Sequence, residues 1–199
     1  MKKIIFSLIC VGMMPTSSMF TSSLSAQHDD NQQDYCFTTA VTAGFVFKPG
    51  DCTFKKVYGR GIIDAVTVDN CYYFWKPWGV GVKVSYWQVH GCTTFLKQRA
   101  RAQEIPLTFY VRGVKDFECG LQLYASLGGG VTWLREKSYL GRVRFHKGIG
   151  EVEGGFNYPL CGCFNITGAV RYLFPSQWHH GRKNNIGGVD LRAGIAFVY

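Results

Sequence analysis

Residues 188–199 read GVDLRAGIAFVY, and they alternate without a break. Val189, Leu191, Ala193, Ile195, Phe197 and Tyr199 fall on one face; Asp190, Arg192, Gly194, Ala196 and Val198 fall on the other. A period of two marks a strand whose faces meet different environments, and it excludes a helix here. The apolar face runs through to the last residue. Chain ends usually lie in water and fray, so this end is expected to be held against an apolar phase. The edge strand of a soluble sheet alternates in the same way, and the remaining residues must separate the two readings.

From residue 35 the sequence divides into eight such stretches, at 35–47, 62–74, 79–89, 105–114, 119–134, 145–158, 163–174 and 186–199. The third sets Val80, Val82, Val84 and Tyr86 against Lys83, Ser85 and Trp87. The fifth sets Leu121, Leu123, Ala125, Leu127 and Val131 against Gln122, Tyr124, Ser126 and Thr132. No run of apolar residues is long enough for a membrane-spanning helix, which excludes a helical membrane protein. The gaps at 75–78, 115–118 and 159–162 are short, and those that alternate with them are markedly longer. Short turns at one end and long loops at the other are the pattern of a transmembrane barrel. The expected fold is therefore all-β, an eight-stranded antiparallel up-and-down transmembrane β-barrel. A soluble barrel such as a lipocalin would bury the apolar face instead, and alternation alone fits both. The aromatic residues argue for lipid. Tyr72, Phe74, Trp75, Trp78, Phe197 and Tyr199 gather at the short-turn ends; Phe45, Phe47, Tyr86, Trp133 and Phe174 gather at the long-loop ends. Two aromatic girdles are what membrane interfaces select.

Residues 1–26 read as a secretory signal peptide: Lys2 and Lys3, an apolar stretch from Ile4 to Met14, then Leu24-Ser25-Ala26 as a small-residue cleavage site. Cys10 would be discarded with it. A polar leader at 27–34 and the barrel at 35–199 remain, with both termini expected on the periplasmic side.

Two motifs carry a resemblance. The ending Arg192-x-Gly194-x-x-Phe197-x-Tyr199 resembles the C-terminal assembly signal of bacterial outer-membrane barrels, and Tyr72-Tyr73-Phe74-x-x-x-Trp78-Gly79-Val80-Gly81-Val82 looks like a periplasmic turn of the small OmpA-like and OmpX-like family. The likeness covers the whole mature chain and is generic outside these motifs. It implies integral residence in the bacterial outer membrane and recognition of the ending by the outer-membrane assembly machinery. No peptidoglycan-binding domain follows the last strand, so the full-length OmpA arrangement is not implied.

The polar face carries Asp69, Glu151, Glu153 and Asp190 against Lys83, Arg112, Arg171 and Arg192. An eight-stranded barrel is filled by its own side chains, and buried charges must pair. These eight are expected to form an internal ion-pair plug rather than a conducting path. A wide channel needs about sixteen strands, which this chain cannot supply.

The net charge of +9 is expected to reside in the long loops: Lys48, Lys55, Lys56 and Arg60; Lys97, Arg99 and Arg101; Arg135, Lys137, Arg142, Arg144 and Lys147; Arg182 and Lys183. Only Asp51, Glu104 and Glu136 oppose them. A merely solvated surface is the plain reading. Two polyanions would give it a function: the phosphates of outer-membrane lipopolysaccharide, which arginine and lysine bind well, or sulfated host glycans, which basic clusters also hold. The first fits a structural, envelope-stabilising protein and the second an adhesin. Nucleic acid is excluded by location.

Seven cysteines outlast the signal peptide, in a compartment where disulfides form. Cys36 and Cys71 are expected to pair across the first two strands, and Cys52 with Cys92 across two loops. Cys161 and Cys163, in the last short turn, are expected to link to other cysteine-rich envelope proteins. Cys161-Gly162-Cys163 also resembles half of a metal site, but no histidine stands near it, and no metal or cofactor is implied. A lipid A-modifying enzyme would need His90, His146, His179 or His180 with Ser85 or Ser138, and no fixed spacing joins them. Gly128-Gly129-Gly130 opens no helix and is not a phosphate loop; it eases the bend of a barrel strand.

Overall fold

A computed structural model describes residues 36–48, 57–58, 62–92, 98–138, 141–175 and 187–199. Eight strands run in order: β1 Cys36–Phe47, β2 Ile62–Trp75, β3 Trp78–Cys92, β4 Arg99–Asp116, β5 Gln122–Ser138, β6 Gly141–Cys161, β7 Phe164–Pro175 and β8 Gly188–Val198. Each pairs antiparallel with its neighbour, and β8 returns to β1, closing the ring. Closure leaves no unpaired strand edge through the body of the barrel, the condition for β-structure in lipid. No described helix is long and apolar enough to cross a membrane.

Burial follows the alternation. In β2, Ile63, Ala65, Thr67, Asp69 and Cys71 are buried, while Val66, Val68 and Tyr72 between them are exposed. Along the body of the barrel the exposed residues are large and apolar: Val41 and Phe45 on β1, Val80 and Val84 on β3, Phe109 and Val111 on β4, Leu127 on β5, Val170 and Tyr172 on β7. Through the middle of the barrel the inward residues are charged, hydroxylated or small: Thr42, Thr67, Asp69, Lys83, Ser85, Thr108, Arg112, Glu151 and Glu153. An exterior of this kind is stabilised by lipid, and water would penalise it at roughly 25 cal/mol per Å².

Two expectations about the long loops are corrected. Residues 135–138 and 141–144 form a paired ribbon, not a loop: β5 and β6 stay in register from Gln122↔Asn157 up to Ser138↔Gly141. β4 begins at Arg99 rather than near 105, and pairs with β3 up to Cys92↔Arg99. Arg99, Arg101, Arg135, Lys137, Arg142, Arg144 and Lys147 therefore stand on strands. β6 runs on beyond its last β7 partner, Ile149↔Pro175, so β3–β6 rise above the rest as a collar. Residues 1–35, to which the expected signal peptide and leader are confined, lie outside the described residues, as do Asp51, Cys52, Lys55, Lys56, Arg60, Lys97, His179, His180, Arg182 and Lys183.

Candidate functional site

The lumen is built by a division of labour among strands. β1 contributes the small residues Thr38, Ala40 and Thr42, and β5 contributes Ser126 and Gly128. Long charged side chains from six other strands fill the space these leave. Lys83 Nζ donates to Glu151 Oε1 at 2.9 Å and to Glu153 Oε2 at 2.6 Å. Arg112 Nη2 holds Asp69 Oδ2 at 2.5 Å, and Arg171 Nη2 holds Asp190 Oδ2 at 2.6 Å. Arg192 bonds Glu153, and Arg112 reaches the same carboxylate at 3.5 Å. Arg171 Nη1 lies 3.6 Å from Glu151, joining the groups into one network. Neutral partners complete it: Thr108 donates to Glu151 at 2.9 Å, Tyr110 donates to Asp69, and Ser85 accepts from Arg171 at 2.9 Å. Gly81 and Gly128 make room for Tyr110, because a Cβ at either would strike that residue. The four acids balance the four bases, as burial requires.

An apolar layer lies above the network. Val46, Ile63, Ala65, Trp87, Val89, Ala100 and Ala102 are buried together with Tyr58, which folds in from the first loop. Gly91 permits this contact, since a Cβ there would strike the backbone at Val57. Tyr58 donates to Glu136 at 2.6 Å. Lys48 bonds Glu104 at 2.9 Å, stands 4.1 Å over the Trp87 ring, and shares Glu104 with Thr132. Lys48, Glu104 and Glu136, assigned to loops by sequence, thus belong to the interior of the outer mouth. A third layer, Cys71, Tyr73 and Tyr110 with Cys36 and Val114, fills the opposite end. The cavity beside Arg112 and Arg192 is about 10 Å³, room for a single water.

Turning Glu104 and Glu136 inward leaves the outside of the collar with cations only. Strand pairing sets them in two rows: Arg101, Lys137 and Arg142, then Arg135 and Arg144 beside the neutral Gln103. Arg99 stands at the top of β4. The rows follow from alternation, because odd residues of β4 and β5 and even residues of β6 point outward. Among the described residues no carboxylate forms a salt bridge to any of these cations. Their neutral contacts are few: Arg101 bonds Gln88, and Gln103 donates to Gln88 and to Tyr86, each at 2.9 Å. Repulsion from Arg142, and further from Arg144 and Arg101, holds the Arg135 guanidinium below its usual pKa. Lys147 points the other way, 5.8 Å from the Phe145 ring.

No family model matches the sequence, and no curated protein matches it. Solved structures do. OprG of Pseudomonas aeruginosa aligns with a TM-score of 0.56 at 15% identity, over 83% of this chain and 96% of that one. Neisserial surface protein A gives 0.53 at 15%, over 82% and 95%. Ail, the attachment invasion locus protein of Yersinia pestis, in complex with the heparin analogue sucrose octasulfate, gives 0.53 at 13%, over 83% and 97%. The fold is that of a small outer-membrane β-barrel.

In such a barrel the short-turn rim faces the periplasm and the collar faces outward. The barrel of this chain closes at Tyr199, whose N–H donates to Phe37 O at 2.9 Å. Phe197 packs against Phe164 at 5.0 Å and Tyr199 at 4.4 Å, a patch of rings at the periplasmic interface. Gly194 lets β8 lie close against β1, since a Cβ there would strike Val41 O, and Arg192 belongs to the lumen network.

The cysteine pairing is corrected. Cys36 lies opposite Tyr73 and Cys71 opposite Thr38, two residues out of step, and both thiols are free. They share the inward face, but diagonal neighbours stand about 7–8 Å apart, too far for a disulfide. Cys92 is exposed and free, and its expected partner Cys52 lies outside the described residues. Cys119 and Cys161 are exposed and Cys163 half-buried, all on the periplasmic rim of the barrel. Gly120 sits against Pro159, so the turns bearing Cys119 and Cys161 touch. Among the described residues no three metal-ligating side chains converge. Ser85 is buried in the lumen while His90 and His146 are exposed on the outer wall, so the strand separates this serine from both histidines.

Proposed function

We propose that this chain is a non-enzymatic outer-membrane barrel with a closed lumen that reinforces the envelope, and that its collar binds polyanions, foremost the phosphates of lipopolysaccharide. One observation carries the reading: Arg101, Lys137, Arg142, Arg135 and Arg144 stand side by side on the outer wall, and among the described residues no carboxylate forms a salt bridge to them. Guanidinium groups in register match phosphate oxygens well. The three filled layers of the lumen argue against a pore.

A second reading has support of its own. The Ail structure carries a heparin analogue, and sulfated glycans of a host surface are polyanions of the same kind. Purified folded protein on immobilised heparin, and separately with lipopolysaccharide vesicles, distinguishes the two. Lipopolysaccharide binding at physiological salt, lost in an Arg99→Gln, Arg101→Gln, Arg142→Gln, Arg144→Gln variant, supports the envelope role. Retention on heparin with no binding to lipopolysaccharide favours the adhesin. Failure to bind either removes the polyanion reading.

Two further assignments belong to this proposal. Arg192, Gly194, Phe197 and Tyr199 act as the signal read by the assembly machinery; Phe197→Ser or Tyr199→Ser then abolishes the heat-modifiable mobility of an inserted barrel, and normal mobility in both overturns the assignment. Cys161 and Cys163 link to other cysteine-rich envelope proteins. High-molecular-weight species on a non-reducing gel should vanish when both become serine, and their persistence rules the linkage out.

A further inference from the structure

Beneath the lower row of cations the collar wall is hollow. A cavity of about 370 Å³ is bounded by Tyr86, Ile105 and Trp133 on its apolar side, and by Arg135 and Arg144 above. A second, of about 330 Å³, is lined by Arg101, Gln103, Arg135, Lys137 and Arg142. Gln103 and Arg135 line both, so the two spaces adjoin on the outer wall, one largely apolar and the other cationic. Each is in the range of small-molecule sites. The lower end opens onto the lipid-facing wall. Below the Trp133↔His146 pair come Val131↔Gly148 and then Gly129↔Gly150, where Val131 and the Phe174 ring, lying over Gly150, carry the apolar wall on.

We infer that this depression is a single site for an amphiphile, an acyl-chained lipid whose headgroup carries two or more phosphates, seated with its chain against Trp133 and Ile105 and its phosphates on Arg135, Arg144 and the row above. The inference rests on the polyanion reading of the collar and adds to it the apolar half. A free polyanion would have no use for the groove. It would gain as much from cations at a loop tip, clear of the membrane. Here the cations begin where the apolar wall ends, which is where a lipid headgroup stands. Trp133 and Ile105 are both exposed, and covering them with an acyl chain removes apolar surface from the interfacial water. Five cations in two rows exceed what one phosphate can neutralise, which selects a headgroup with several anionic groups.

The test uses folded full-length barrel, checked by heat-modifiable mobility, with three probes: diphosphoryl lipid A in detergent micelles, immobilised heparin, and inorganic pyrophosphate as competitor. In a Trp133→Ala, Ile105→Ala variant the groove loses its walls while every cation remains. The expected result is at least a tenfold loss of affinity for diphosphoryl lipid A with heparin retention unchanged. Ile105→Ala alone, a milder change, should give a smaller loss in the same direction. Pyrophosphate should fail to displace the lipid at equal concentration. Lipid A binding at parental affinity in the double variant overturns the site, as does full displacement by pyrophosphate. Arg135→Gln with Arg144→Gln should weaken both lipid A and heparin. If the parent binds neither probe, the polyanion reading itself fails and takes this site with it.

Discussion

The same strands obey opposite rules in the body of the barrel and in the collar. Within the body, β3 turns Val80, Val82 and Val84 outward and Lys83 and Ser85 inward. A few residues higher it turns Gln88 and His90 outward and Trp87 and Val89 inward. β4 inverts likewise: Phe109 and Val111 face out below, with Thr108 and Arg112 within, whereas Arg99 and Arg101 face out above, with Ala100 and Ala102 within. The pleat has not changed, only the solvent. Where lipid surrounds the wall, the apolar face is outside and the charges are paired inside. Where water surrounds it, the strand reverts to the pattern of a soluble barrel. The crossover falls at Tyr86 and Trp133, aromatic residues of the kind that membrane interfaces select.

The contrast can be broken most severely from within. Glu153 touches Lys83, Arg112 and Arg192, so Glu153→Ala takes a shared anion from three buried cations and leaves Arg192 with only Asp190 at 3.9 Å. It should destabilise the barrel by about 3–5 kcal/mol, read as a lower urea midpoint for barrel in liposomes; an unchanged midpoint would mean the lumen is wet. The collar interior is apolar, and its counterpart is Trp87, buried beneath Lys48. Trp87→Ala should cost about 3 kcal/mol through the void it leaves, and should loosen Tyr58, seen as faster proteolysis of the first loop. A third test uses one strand and one face. Val84→Arg places a charge in the lipid and should cost about 2–4 kcal/mol, whereas Gln88→Glu, four residues on, places a charge in water beside Arg101 and should not lower the midpoint. Equal costs would show that the crossover is misplaced. The smallest effect concerns the outer cations. Neutralising Arg135 and Arg144 to glutamine relieves like-charge repulsion, so the midpoint should rise slightly at low salt and the gain should disappear at high salt.

The inversion also explains which parts of the structure were legible in the sequence. Strand β2 was readable almost to the residue, because Val66, Val68 and Tyr72 alternate with Thr67, Asp69 and Cys71. The collar was not. A search for outward apolar residues passes over Arg99-Ala100-Arg101-Ala102-Gln103-Glu104, where the alternation is intact but its sign is reversed. The upper β5–β6 ribbon is worse, since Arg135, Lys137, Arg142 and Arg144 sit in water and their local pattern says only "polar". Lys48 and Glu104 were assigned to loops for the same reason, although each has a buried partner. The cysteine pairing exposes a different limit. Alternation specifies register only modulo two: a slip of one residue reverses the faces, but a slip of two preserves them. Cys36 and Cys71 could therefore be given the correct face and the wrong partner. The contact of Tyr58 with Glu136 has no sequence signal, because it joins residues far apart in the chain through a loop with no period.

The pairing of β8 with β1, from Thr38↔Val198 to Phe47↔Val189, has a consequence in time. Every other strand pair joins neighbours in sequence and can form as the chain emerges. This one joins the first strand made to the last. Until β8 exists, β1 waits with one side of its backbone unsatisfied, and the ring is an open curl with two adhesive margins. Joining such distant segments is slow, because the whole intervening chain must be gathered first. For most of its assembly the nascent protein is thus a sheet with sticky borders, and Tyr199, hydrogen-bonded to Phe37, lies at the seam that ends its exposure.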